Sequence, residues 1–130
     1  MKRHNPATVA APFATYTHGV EIDEPVRFLF GAGQVGVHPD GTIGEGIEEQ
    51  ARLVWQNITE VLTSDGMEIT DIVQLNMLLL DPADRDGASA VRKEVLGDHR
   101  PASTLMYVVG LAGPEWRIEI DYIAARPLGA

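Results

Sequence analysis

The stretch RIEIDYIAA, residues 117–125, alternates strictly enough to assign two faces to one strand. Ile118, Ile120 and Tyr122 fall on one side and Arg117, Glu119 and Asp121 on the other, because successive side chains of a strand point to opposite faces. Such a strand has one face against a core and one face away from it. It belongs in a sheet with helices packed on one side only.

The rest of the chain supplies that sheet and those helices. Ile72 to Leu80, within DIVQLNMLLLD (residues 71–81), reads as a strand with Gln74 and Asn76 on one face and Val73, Leu75 and Met77 on the other. Ser103 to Val109 reads as another, separated from Arg117–Ala125 by the turn LAGPEW. Toward the N-terminus, Tyr16 to Glu21 and Val26 to Gly33 flank the turn IDEP and are expected to form a hairpin. Residues 1–12 are an arm without a pattern of its own.

Ile47, Ala51, Val54, Ile58, Val61 and Leu62 recur at helical spacing and predict a helix over 46–65. Glu45, Glu48 and Glu49 suit its N-terminus, and Gly66 its left-handed C-terminal residue. DPADRD opens a second helix, Ala83 to Leu96, with Asp81 or Asp84 as cap and Gly97 as stop. The order ββαβαββ describes a single α+β domain over 1–130, a two-layer sandwich with one sheet face open. An open, partly apolar face on so small a domain predicts self-association.

Composition narrows the chemistry. The 130 residues carry 19 acidic and 10 basic side chains, a net charge of −9, so the long-range field repels phosphate backbones and anionic membranes. No nucleic-acid partner is expected. No run of apolar residues is long enough to span a membrane, and no secretory leader is evident, which points to a cytoplasmic protein. With no cysteine there is neither a disulfide framework nor a thiolate nucleophile. His4, His18, His38 and His99 are scattered without metal-ligand spacing, so no metal site is expected.

Two short motifs remain. GAGQVG, residues 31–36, matches GxGxxG, but VHPDG follows where a dinucleotide site needs a helix. Those glycines fit a bulge or a close backbone approach instead, and keep Gly33 a candidate ligand contact. Glu119 and Asp121 project to one face about 7 Å apart, a spacing at which carboxylates can share acid and base work. The competing reading is a solvated strand face balanced by Arg117 or Arg126.

APFATYTHGVEI (11–22), GAGQVG, DIVQLNMLLLD, RPAST (100–104) and RIEIDYIAA, in that order and spacing, resemble the reactive intermediate deaminase family, also called Rid or YjgF. The resemblance runs from about Pro12 to Arg126. It implies a chorismate-mutase-like fold, a homotrimer with a central β-barrel, and ligand clefts between subunits. It also implies hydrolysis of short-lived enamines and imines without a cofactor.

In such deaminases a last-strand glutamate positions the attacking water, which maps onto Glu119. The glycine before a glutamine maps onto Gly33, an N-terminal aromatic onto Phe13 or Tyr16, a second-helix asparagine onto Ser89, and a strand position onto Leu105. Ser103 and Thr104 follow the Pro-Ala of the loop. There the chain departs from the pattern, because Ser103 stands where the deaminases have the arginine that holds the substrate carboxylate.

One neutral hydroxyl replaces a bidentate cation, a loss of about 2–4 kcal/mol in recognising an anion. Arg100 is the one basic side chain close in sequence that could replace it; otherwise it pairs with Asp98 or another acid. The reading is a trimer that binds a small neutral or cationic imine or amine and does not carry out arginine-dependent 2-iminopropionate hydrolysis. The alternative is a non-catalytic ligand-binding or regulatory module on the same fold.

Overall fold

Apolar residues at helical spacing build α1 (Gly46–Ser64), which turns Ala51, Val54, Trp55, Ile58 and Leu62 inward. The computed structural model describes residues 1–130. Before α1 come β1 (Lys2–His4), β2 (Gly19–Glu21) and β3 (Val26–Val35). After it come β4 (Ile72–Leu79), α2 (Arg85–Leu96), β5 (Ala102–Tyr107) and β6 (Ile118–Pro127). Gly66 and Gly97 both take positive φ, 68° and 55°, and end the two helices as the sequence predicts.

The main sheet has the order β3-β6-β4-β5, with β4 and β5 parallel and the other pairs antiparallel. Both helices lie over one face. Ile118, Ile120 and Tyr122 of β6 and Leu75, Met77 and Leu79 of β4 join them in one core. Each fully buried aliphatic side chain there contributes roughly 1.5–3 kcal/mol. The opposite face carries Glu119, Asp121, Gln74 and Asn76, so the alternation of RIEIDYIAA does separate core from open face. No helix is long and apolar enough to cross a membrane.

Three expectations need correction. The arm is not patternless, because Lys2–His4 pairs with Gly19–Glu21 in a separate ribbon, closed by His4 Nε2 and Glu21 Oε1 at 2.8 Å. Nor do β2 and β3 form a hairpin. The Thr17 N–H donates to the Pro101 carbonyl at 3.0 Å and Thr17 bridges Ala102, which draws this segment along β5, at the other edge of the sheet from β3.

The caps differ as well. Asp81 accepts from the Ala83 N–H and opens a short 3₁₀ turn, Pro82–Asp84, that precedes α2. Asp84 caps nothing with its side chain. It is buried and takes two hydrogen bonds from Arg117, Nε at 3.1 Å and Nη2 at 2.6 Å. Arg126 likewise donates to Asp71 at 2.9 Å. Neither arginine balances Glu119 or Asp121.

Around GAGQVG the β3–β6 register shifts between Gly31 and Gln34, the bulge expected of the glycines, and no helix starts there. A Cβ on Gly31 would overlap the Tyr122 ring.

Arg117→Met should cost about 2–4 kcal/mol in urea unfolding, because it strands the buried Asp84 carboxylate. Tyr122→Phe should cost almost nothing in the same assay, since the buried Tyr122 hydroxyl has no hydrogen-bond partner to lose.

Candidate functional site

The loop His99–Pro101 leads α2 into β5, and the pleat of β5 then distributes its side chains. Ser103 pairs with Leu75 and Leu105 with Met77, so both point to the helix side. Thr104 pairs with Asn76 and points to the open face. Adjacent in sequence, Ser103 and Thr104 cannot share one cleft within a single chain.

On the helix side, β5, α2 and the segment before β2 enclose a cavity of about 530 Å³ lined by Phe13, Tyr16, Ser89, Ser103 and Leu105 among others. Five predicted ligand contacts from three parts of the chain therefore meet. Phe13 is mostly exposed at its mouth, and its N–H donates to the Tyr16 hydroxyl at 3.2 Å.

The sixth wall was not anticipated from sequence. Arg92 of α2 is only 6% exposed, donates from Nη1 to the Ser103 hydroxyl at 3.1 Å and from Nη2 to the Thr15 carbonyl at 2.8 Å, and lines the same cavity. Its Nε is buried without a partner, and no carboxylate lies within salt-bridge distance. Burial pushes its pKa down, to about 10, with the charge of Arg100 adding to the effect. A signal was available in the sequence. Ala88, Arg92 and Leu96 are spaced by four, so a charge sits in the buried stripe of α2.

Arg85 and Lys93 also line this cavity, against one acid, Asp86. The local field thus opposes the net charge of −9, which is carried elsewhere on the surface. The expectation of a neutral or cationic ligand rests on the whole-chain charge and Ser103, whereas this lining carries Arg85, Arg92 and Lys93 against Asp86.

A smaller cavity, about 260 Å³, lies between the helices over Trp55 and Val91. Its arginine, Arg52, is already held by Glu94 at 2.7 Å.

Glu119 and Gly33 form a second group on the open face. Glu119 pairs with Val35 and Leu78, is half-buried, and sets its carboxylate directly over Gly33, where a Cβ would collide with it. Asp121 is occupied by the Asn76 amide at 2.9 Å, so the two acids are not equivalent. Glu119 has neither a cation nor a hydrogen-bond donor from its own chain.

Arg100 joins neither group. Its Nη1 donates to the Gly97 carbonyl at 2.6 Å and the His99 carbonyl at 3.0 Å, and it shares a separate depression with Arg3 and His99. It pairs with no acid and does not point at Ser103. His99, also distant from a role beside Ser103, holds the Ile72 carbonyl at 2.7 Å through Nε2.

The sequence profile of the endoribonuclease L-PSP family matches residues 7–126. The protein belongs to this family, the Rid/YjgF group.

The human 2-iminobutanoate/2-iminopropanoate deaminase is 29% identical over 124 residues, covering 92% of this chain and 88% of that one. Protein mmf2 of Schizosaccharomyces pombe, a mitochondrial protein, is 34% identical over 100 residues, 75% of this chain and 79% of its own. Among solved structures, the Rid-family protein YyfB from Yersinia pestis matches with a TM-score of 0.84 at 30% identity, covering 96% of this chain and 98% of that one.

Two outcomes follow from these contacts. Burial lowers the His99 pKa below that of the free imidazole, despite the opposing bond to Ile72. As pH falls through about 6.5 the unfolded chain therefore gains a proton that the native state refuses, and stability declines. Urea titrations between pH 7.5 and 5 should show this loss in the native sequence and a flatter profile in His99→Gln.

Proposed function

We propose that the protein is a homotrimer whose strands close a central barrel, and that it hydrolyses reactive imines or enamines in clefts between copies. Phe28 and Phe30, 5.8 Å apart on the open side of β3, and Met106 on β5 are exposed apolar side chains that a neighbouring copy would cover. The same packing would bring the open-face group of one copy, Glu119, Gly33 and Thr104, against the cavity of the next. No cofactor is invoked.

The observation that carries the reading is the unpaired Glu119 carboxylate over Gly33. It is acceptor-only and held by a rigid central strand, as a group that positions water needs to be. Water's oxygen would attack the C=N carbon as the π bond breaks toward nitrogen, while Glu119 takes the water's proton and returns it to that nitrogen. The carbinolamine then collapses to a carbonyl compound and ammonia.

The departure at Ser103 favours a second reading, a binding module without turnover. RNA cleavage, named in the family's description, gains no support from a chain of net charge −9.

Glu119→Gln should lower ammonia release from enzymatically generated imines by about 10²–10³-fold while sedimentation still reports a trimer. Unchanged turnover would exclude Glu119 from the reaction. Ligand-dependent thermal stabilisation with no turnover on any imine would favour the binding module. Gly33→Ala should mimic Glu119→Gln in activity, because the added methyl displaces the carboxylate.

A further inference from the structure

We propose that Arg92, braced by Ser103, binds the substrate's carboxylate, so that the protein takes 2-imino or 2-enamino acids through a guanidinium delivered by α2 rather than by β5. This deepens the reading of the site as an imine or enamine hydrolase.

Three observations support the assignment. The first is position. The Nη1 of Arg92 contacts the side chain of Ser103, so the guanidinium already occupies the space beside the β5 site from which a carboxylate clamp is absent.

The second is that the charge is unmatched. Arg92 is 94% buried by its 6% exposure, its Nε has no partner, and its two bonds go to a neutral hydroxyl and a neutral carbonyl. A buried guanidinium without an anion is costly, and an anion bound from outside would offset that cost. Arg92 is the one buried arginine, and four of the others pair with acids: Arg27 with Asp65, Arg52 with Glu94, Arg117 with Asp84 and Arg126 with Asp71.

The third is the surroundings. Phe13, Tyr16, Leu105 and Met77 supply apolar wall, and Ser89 a further hydroxyl, in a cavity large enough for a small acid. The Ser103 oxygen accepts from Arg92, which leaves its own hydrogen free to donate to the same carboxylate. Serine at this position is then a consequence of the arginine's relocation. A second arginine at 103 would face Arg92 at close range.

The test is equilibrium binding of pyruvate, a stable carboxylate, against pyruvamide, its uncharged counterpart, by calorimetry on the assembled protein. Wild type should prefer pyruvate, and Arg92→Met should lose about 30- to 300-fold in pyruvate affinity without change toward pyruvamide. The fold should tolerate this change, since it removes an unpaired buried charge. If Arg92→Met nevertheless fails to assemble, Arg92→Lys should bind pyruvate about ten-fold more weakly than wild type, having lost the fork but kept the charge.

Ser103→Arg alone should weaken pyruvate binding through like-charge repulsion. Wild-type pyruvate affinity in either Arg92 variant, no preference for pyruvate over pyruvamide in the native protein, or tighter binding in Ser103→Arg would each overturn the assignment. Pyruvate binding without turnover of any imine would sink the hydrolase reading and leave Arg92's role standing. Imine turnover at undiminished kcat/KM in Arg92→Met would do the reverse.

Discussion

The pleat of the main sheet is the constraint on which the site depends. Ser103 pairs with Leu75 and faces the helices, while Glu119 pairs with Leu78 and faces away from them. No rotamer brings side chains on opposite faces of one sheet together. Under the proposed assembly a single chain holds only half of each site on either face, and a neighbouring copy brings the other half. In this account self-association is a condition of the chemistry as well as a means of covering Phe28 and Phe30.

The second determinant is where the positive charge sits. Net charge describes a protein at distances beyond the screening length, about 8 Å in physiological salt, whereas a ligand in a cavity responds to the few groups around it. Here those groups are Arg92, Arg85 and Lys93 against Asp86, within a chain of net charge −9. The same chain therefore presents an acidic surface on average and a mostly basic lining at this cavity. The serine in PAST accepts a hydrogen bond from Arg92 of α2, and under the proposed assignment it neighbours a clamp supplied from that other element.

Much of this was legible in the sequence because the signals were periodic. The α1 stripe, the glycines at 66 and 97 and the alternation of RIEIDYIAA are local patterns with one structural solution each. Periodicity placed Glu119 and Gly33 on strands, and the resemblance to the Rid family singled them out as candidate site residues.

What was missed depends on contacts that periodicity does not encode. Asp84 resembled a cap until Arg117, 33 residues away, claimed its carboxylate. Arg100 was weighed for its closeness in sequence to Ser103, yet it follows the turn at Gly97–Asp98 and donates to the backbone carbonyls of Gly97 and His99. Arg92, eleven residues upstream, reaches Ser103 because α2 packs back over β5. The pairing of β1 with β2 rests on a three-residue ribbon with too little pattern to read.

The central claim is that Glu119 of one copy works with Arg92 of another. Subunit complementation tests it most directly: Glu119→Gln and Arg92→Met proteins, each impaired alone, are unfolded together, refolded as mixed trimers and assayed for imine hydrolysis. If each cleft draws the two residues from different copies, random mixing restores about one quarter of wild-type activity, because one cleft in four receives both native residues. Mixed trimers no more active than the separate variants would contradict the account.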